Sequence, residues 1–256
     1  MNYRGVKSNN LALETTNHKE EYKHGQLKTT VMEEKHFVDV AVLIGEPARA
    51  KMLWNLLDGR AYTATELAMV ADISGTSASN HLTKLLGAEL LKVDKQGRHR
   101  YFSFAKPEIA YLVESLAGLS IQSKKTEKTP APAGIKYCRS CYDHVAGFVG
   151  VRITEALEKK KAVRKSDNHY LVTRSGWDLF GALDIDKNEL MTNRRPLTRQ
   201  CLDWSERKPH LAGQVGAFLL KNMLERNWLK RIKFSRELIV TTKGRGEIQK
   251  LFGVEV

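Results

Sequence analysis

The chain has 256 residues, of which 42% are hydrophobic and 28% charged, and its formal net charge is +13 at pH 7. This length allows two ordinary hydrophobic cores, while the lack of any run of roughly 18 apolar residues excludes a conventional transmembrane helix. An odd count of three cysteines argues against a disulfide scaffold, and the start of the chain is unlike a leader, so we expect a cytoplasmic protein.

The positive charge is distributed unevenly along the chain. Residues 1–31 hold 5 basic and 3 acidic side chains, residues 32–122 hold 10 and 11, and residues 123–256 hold 27 and 15. Residues 1–31 are polar and lack a sustained period, which predicts a disordered arm. The C-terminal half therefore supplies the long-range positive electrostatic field. A polyanion that binds to the residues before this half would have to contact a local patch of basic side chains.

Two helices are predicted before the first motif. One covers residues 33–44, directly after Met32, and its apolar residues recur at helical spacing. The second begins at Pro47 and runs through Leu57, where Asp58-Gly59 closes it.

Residues 63–104 have the pattern of a helix-turn-helix followed by a β-wing. Residues 65–69 open a short helix, residues 72–75 make a turn, and residues 76–86 form a second helix with a buried stripe of Ala78, Leu82 and Leu85. The opposite face of this second helix carries short polar groups and a cation, which suit base edges and phosphates in a major groove. These candidate DNA-binding residues are Ser77, Ser79, Asn80, His81 and Lys84.

The predicted wing follows directly. Residues 90–93 and 98–104 alternate as strands, and residues 94–97 supply turn chemistry between them. The tip is basic, and Lys95, Arg98 and Arg100 are candidates for phosphate or minor-groove contacts, with His99 beside them.

These residues resemble the recognition helix and wing of the ArsR/SmtB family of transcriptional repressors. The family's helix pattern is matched by Ser79, His81, Leu82 and Leu85, and its wing pattern by Lys95, Gly97, Arg98 and Tyr101. The resemblance covers residues 33–119, about a third of the chain. It implies a homodimer, formed by helices at residues 33–44 and 106–119, that binds a pseudo-palindromic operator in double-stranded DNA.

The chain departs from the metal sensors of that family in both familiar metal sites. The first helix of the motif contains no cysteine, and residues 107–119 contain no histidine, with Glu108 and Glu114 as the acidic residues. Any sensing of a metal or another effector is therefore expected elsewhere in the chain.

The C-terminal half contains an internal duplication, which follows a Lys-, Thr- and Pro-rich linker at residues 123–134. The stretch Cys141-x-Asp143-His144 with Gly147 and Gly150 recurs as Cys201-x-Asp203, then His210 with Gly213 and Gly216. Each copy continues through a helix to a Val-Thr step, where a strand runs into a further helix. The predicted fold is α+β and mainly α: a winged helix-turn-helix domain at residues 32–122, then a duplicated winged-helix-like α/β-hairpin domain at residues 135–256.

Both copies present residue types that bind zinc or another soft metal. The candidates are Cys138, Cys141, His144, Cys201, Asp203 and His210. On a helix, Cys138, Cys141 and His144 would share one face, but no second C-x-x-C follows, so the spacing is not specific. The alternative is structural, with buried cysteines, capping aspartates and core histidines. A thiol-redox switch is also open, because Arg139 and Arg199 could lower a thiol pKa.

The sequence predicts a DNA-binding transcriptional regulator, a homodimeric repressor with the C-terminal half as effector or auxiliary domain and a small effector left open. One alternative is a regulator that responds to a metal or to thiol oxidation. Another is an interaction module that binds nucleic acid through its basic C-terminal half. An enzyme is not expected, because no oxyanion element, Gly-rich phosphate loop or paired-carboxylate motif is present.

Overall fold

The computed structural model describes residues 34–119, 132–191 and 195–256. The expected arm at residues 1–31, Met32 and the expected linker as far as residue 131 lie outside these ranges. The chain divides into two compact units, residues 1–46 and residues 47–256. Helix α1 of the first unit covers residues 34–45, where a helix was predicted. None of the helices in the described ranges combines the length and the apolar character needed to cross a bilayer.

Residues 47–119 contain the predicted helix-turn-helix and wing. The helices are α2 (Pro47–Leu56), α3 (Ala64–Ala71), α4 (Gly75–Gly87) and α5 (Pro107–Leu119), and the strands are β1 (Tyr62–Thr63), β2 (Leu91–Gln96) and β3 (His99–Phe104). The three strands form an antiparallel sheet in the order β1-β3-β2. The buried stripe predicted for α4, made of Ala78, Leu82 and Leu85, faces the core of this part of the chain.

Local signals set the bounds of α3 and α4. Thr63 and Glu66 form a capping box at the start of α3, and Asp72 ends that helix in the left-handed conformation at φ 57°. The Ser74 side chain accepts a hydrogen bond from the Ser77 amide and so caps the start of α4. These short-range bonds explain why sequence patterns located both helices to within a residue or two.

The wing is longer and its turn is tighter than the sequence suggested. Gln96 pairs with His99, so the strands extend to the tip and only Gly97 and Arg98 connect them. The turn had been expected at residues 94–97. Gly97 has φ 59°, which permits a two-residue connection.

Residues 132–256 contain the predicted duplication, with the element order hairpin, helix, hairpin, helix in each copy. A 3-10 turn (Gly134–Lys136) leads into the first copy: β4 (Arg139–Cys141), β5 (His144–Ala146), α6 (Gly147–Lys159), β6 (Val163–Ser166), β7 (His169–Val172), α7 (Arg174–Gly181) and α8 (Lys187–Met191). The second copy has β8 (Arg199–Leu202), β9 (Pro209–Ala212), α9 (Gly213–Glu225), β10 (Leu229–Arg231), β11 (Leu238–Val240) and α10 (Thr242–Phe252).

The two copies share one hydrophobic core. It takes Val149, Ile153 and Tyr170 from the first copy and Val215 and Trp228 from the second. Neither copy buries its apolar face alone, and their mutual packing provides the core that the sequence predicted.

Candidate functional site

The outer face of α4 carries most of the candidate DNA-binding side chains. Ser79, Asn80 and Lys84 are exposed, and Ser77 is half-buried. The hydroxyl of Ser79 donates to the Gly75 carbonyl oxygen at 3.0 Å, so its remaining capacity toward a partner is as an acceptor. This face therefore presents one amide, one cation and hydroxyl oxygens to the surroundings.

His81 is placed differently from the other α4 candidates. Its side chain is half-buried, and its Nδ1 lies 3.2 Å from Nη1 of the buried Arg49 on α2. Part of this imidazole is thus engaged in packing α4 against α2.

The wing places its basic side chains on the same exposed tip. Lys95 pairs across the hairpin with Arg100, Arg98 sits in the turn, and all three are exposed together with His99. Among the described residues, none of these three basic side chains forms an ion pair, and on the same hairpin Lys92 pairs with Asp94 at 3.3 Å. The tip is therefore a local positive patch next to α4.

A second candidate site lies in the C-terminal half, where two hairpins meet. Cys141 pairs with His144 across β4 and β5, and Cys201 pairs with His210 across β8 and β9. We call these residues the Cys/His quartet. Its ligand atoms all lie within 4.8 Å of one another, and all four side chains are buried. The two hairpins, whose cysteines are 60 positions apart in the sequence, thus bring their ligand atoms to one place.

Cys138 and Asp203, the other candidates for this site, stand outside the quartet. Cys138 packs in the hydrophobic core with Val145 and Val149. On a helix, Cys138 and Cys141 would share a face; here Cys141 ends strand β4 and Cys138 lies just before that strand, so the helical spacing does not apply. Asp203 lies behind His210, with its Oδ2 3.7 Å from His210 Nδ1.

Each histidine of the quartet has an aspartate behind it, and each aspartate is held by an arginine. Asp143 Oδ1 is 3.2 Å from His144 Nδ1, and Arg195 donates to the same carboxylate. Arg139 Nη2 donates to Asp203 Oδ2 at 2.8 Å. The two copies therefore repeat an arginine–aspartate–histidine arrangement.

Charge and hydrogen bonding keep both aspartates ionised. Burial alone would raise the pKa of Asp203, but the charges of Arg139 and His210 outweigh it and hold the pKa well below its usual value. Burial likewise opposes ionisation of Asp143, and hydrogen bonds from His144 and Arg195 lower its pKa despite it.

For Cys138 and Cys141, by contrast, the pKa shift opposes ionisation. Burial raises the pKa of Cys141 well above its usual value, and burial raises the pKa of Cys138 to about 12. The proposal that Arg139 lowers a thiol pKa does not hold for these two cysteines, because desolvation dominates. Without a bound cation, Cys141 is therefore a protonated thiol.

The arginines around the quartet also contact the helix-turn-helix half. Arg195 Nη2 donates to the Tyr111 hydroxyl on α5 at 2.8 Å. Arg139 Nη2 lies 3.8 Å from Glu114 Oε1 on the same helix. Sequence reasoning considered Arg139 only as a neighbour of the thiols and missed Arg195, because Arg195 lies in a basic stretch of the kind that usually faces solvent and spacing gives no sign of a distant partner.

Comparison with known proteins matches both halves of the chain. Residues 44–94 match the family model described as a helix-turn-helix domain. An uncharacterized HTH-type transcriptional regulator of Bacillus subtilis (strain 168), YdfF, is 36% identical over 219 residues, which cover 85% of this chain and 97% of that protein.

Two solved structures are similar over a shorter part. Reduced HlyU from Vibrio cholerae N16961 is 21% identical, covers 37% of this chain and 99% of its own, and has a TM-score of 0.33. The homodimeric winged helix-turn-helix fragment of Mb0332 from Mycobacterium bovis, a possible ArsR-family regulator, is 19% identical, covers 36% of this chain and 83% of its own, and has a TM-score of 0.33.

Proposed function

The chain belongs to a family of HTH-type transcriptional regulators, and from this premise we propose that it is an ArsR-type repressor that binds a pseudo-palindromic operator as a homodimer. The observation that carries the proposal is the exposed polar face of α4 beside the basic wing tip. A two-fold dimer would present two such surfaces to successive major grooves.

In this proposal the two elements have separate tasks. The α4 residues Ser77, Ser79, Asn80, His81 and Lys84 enter the major groove, where amide and hydroxyl groups contact base edges. Lys95, Arg98 and Arg100 of the wing contact phosphates or the minor groove. The His81 ring has two roles in this proposal, because it also packs toward Arg49 within the chain.

The division of the chain follows the same proposal. Residues 32–122 form the DNA-binding and dimerisation domain, residues 123–134 the linker, and residues 135–256 an effector or auxiliary domain in a cytoplasmic protein. The basic C-terminal half raises the rate of encounter with DNA without selecting sequence.

The test is a fluorescence-anisotropy titration of the full chain on the DNA upstream of its own gene and on a scrambled duplex. We expect tighter binding to the upstream DNA. Asn80→Ala is expected to weaken binding to the upstream DNA by about 1–3 kcal/mol, because it removes a base contact, and to change binding to the scrambled duplex little. Lys84→Ala is expected to weaken binding to both duplexes, because it removes a phosphate contact. It should also reduce by about one the slope of the logarithm of the binding constant against the logarithm of the salt concentration.

A matched control replaces the exposed Lys159, Lys160 and Lys161, at the C-terminal end of α6, with alanine. It is expected to slow association while leaving the preference for the upstream DNA intact. Equal affinity of the wild-type protein for both duplexes, or loss of binding in this control but not in the α4 variants, would favour the interaction-module alternative.

A second candidate function is a regulator whose DNA binding responds to a soft metal or to thiol oxidation. The observation that favours it is the convergence of the Cys/His quartet. Between the two inputs, the convergence of four ligand atoms favours the metal, and the burial of Cys141 disfavours oxidation, which needs an accessible thiolate.

A further inference from the structure

The Cys/His quartet is built from two equivalent hairpins. Each hairpin contributes one cysteine and one histidine that face each other across the ladder. Since directly opposed residues of an antiparallel pair point to the same side, each hairpin presents its two ligand atoms together. The duplication then sets the two pairs face to face, with the histidine rings 5.0 Å apart.

The sulfur–sulfur and nitrogen–nitrogen distances within the quartet are close to those of a tetrahedral site. Zn–S bonds of about 2.3 Å hold two sulfurs about 3.8 Å apart, and Zn–N bonds of about 2.0 Å hold two nitrogens about 3.3 Å apart. The Sγ atoms of Cys141 and Cys201 are 3.8 Å apart, and the Nε2 atoms of His144 and His210 are 3.1 Å apart. The same two sulfurs are far beyond the disulfide bond length of about 2.05 Å.

A carboxylate lies on the outer side of each histidine ring of the quartet, and the two Nε2 atoms face each other. Histidines that bind metals commonly have a carboxylate on their second nitrogen, which orients the ring and raises its basicity. Asp143 and Asp203 take this position behind His144 and His210, at 3.2 Å and 3.7 Å from the two Nδ1 atoms. A carboxylate behind each imidazole is the outer arrangement that metal-binding histidines commonly have.

We propose that the Cys/His quartet binds one divalent cation of the zinc class in a closed tetrahedral site, and that its occupancy acts on α5. In the bound state the cation, two thiolates and two neutral imidazoles form a site with no net charge, and the protons that these ligands carry beforehand are released on binding. Four protein ligands leave no open position, which makes the site structural or regulatory and not catalytic.

The link to α5 consists of the two arginines that hold the aspartates. Arg195 joins Asp143 to the Tyr111 hydroxyl, and Arg139 joins Asp203 to Glu114. A cation that draws the two hairpins together shifts both arginines relative to the same helix. This regulatory part rests on the proposed function, whereas metal binding does not.

The first experiment measures metal binding by the full chain, without DNA. Chelator-treated, reduced protein is titrated with Co²⁺ and then with Zn²⁺. We expect the visible bands of tetrahedral Co²⁺ with a thiolate-to-metal band, their displacement by Zn²⁺, and one metal per chain by native mass spectrometry. Absence of these bands in folded wild-type protein would overturn the metal site.

Variants locate the site. Cys201→Ser and His210→Asn are each expected to weaken Zn²⁺ binding at least tenfold, since each removes a ligand, with circular dichroism as the check on folding. Cys138→Ala is the matched control, because Cys138 is buried but lies in the hydrophobic core. Loss of binding in Cys138→Ala alone would move the site away from the quartet and contradict the assignment.

The second experiment repeats the upstream-DNA titration with and without Zn²⁺. We expect a change in Kd of about fivefold or more in the wild type, none in Cys201→Ser, and a smaller change in Tyr111→Phe, which keeps the quartet but loses the Arg195 contact. An unchanged Kd in protein that binds Zn²⁺ would overturn the link to α5. Absence of preference for upstream DNA in either state would instead count against the proposed function and leave the metal site standing.

Discussion

The repeated glycines of the C-terminal half are required by close backbone contacts. A Cβ on Gly150 would lie 2.4 Å from the Val145 carbonyl oxygen, and one on Gly216 would lie 2.5 Å from that of Leu211. Each glycine stands in the first turn of the helix that follows a hairpin of the quartet. The glycines recur in the sequence because they let these helices approach the strands that carry the ligands.

Helix α10 offers a test of this packing within one element. Gly244→Ala is expected to destabilise the protein by about 1–3 kcal/mol, because its Cβ would lie 2.1 Å from the Trp228 carbonyl oxygen. Gly246→Ala, two residues further along, has nothing within 4 Å and is expected to stabilise by about 0.5–1 kcal/mol. Urea unfolding of both variants is the measurement, and a similar sign for the two would refute the contact argument.

At the scale of elements, α3 depends on its capping box. The Thr63 side chain accepts from the Glu66 amide at 3.3 Å, and the Thr63 amide donates to the Glu66 carboxylate at 2.9 Å. This exchange holds the first helix of the helix-turn-helix at its junction with β1, the short strand that pairs with the wing.

Thr63→Ala is therefore expected to lower the free energy of unfolding by about 1 kcal/mol. Thr65→Ala is the matched control: Thr65 is exposed within the same helix, so the change removes no cap and is expected to be neutral or slightly stabilising. Thermal unfolding compares the two, and equal losses would show that the cap contributes nothing particular.

At the scale of the whole molecule, α5 joins the helix-turn-helix half to the C-terminal half through buried charge. Glu114 is 5% exposed, accepts a hydrogen bond from Arg236, and lies near Arg139, and both arginines are also buried. Arg236 in turn donates to the Ser140 carbonyl oxygen, next to Cys141. The helix expected to form a subunit interface is thus also an interface within the chain.

Glu114→Ala is expected to destabilise the protein by about 3–5 kcal/mol, because it leaves the Arg236 guanidinium buried without its carboxylate partner. Glu108→Ala, on the exposed first turn of the same helix, is expected to change stability by no more than about 0.5 kcal/mol. Denaturant titration measures both, and a loss below about 1 kcal/mol for Glu114→Ala would mean that the buried pair is dispensable.

The sequence by itself determined the elements whose signals are local. The stripe of Ala78, Leu82 and Leu85, the turn at residues 72–75 and the alternation of the wing strands located the helix-turn-helix and its wing, because periodic burial leaves a direct trace in the chain. The duplication was also readable, since it is a repeat of residue types. The longer wing strands were not, because ladder pairing depends on the partner strand.

The tertiary structure shows which of these residues lie close enough to act together. It separated Cys138 from the quartet, placed Asp203 behind His210, and gave Arg139 and Arg195 their partners on α5. A cluster of potential metal ligands or a buried ion pair joins groups that are far apart in the chain. Burial then determines which of these charged groups can pair. Sequence spacing records neither the distance nor the burial.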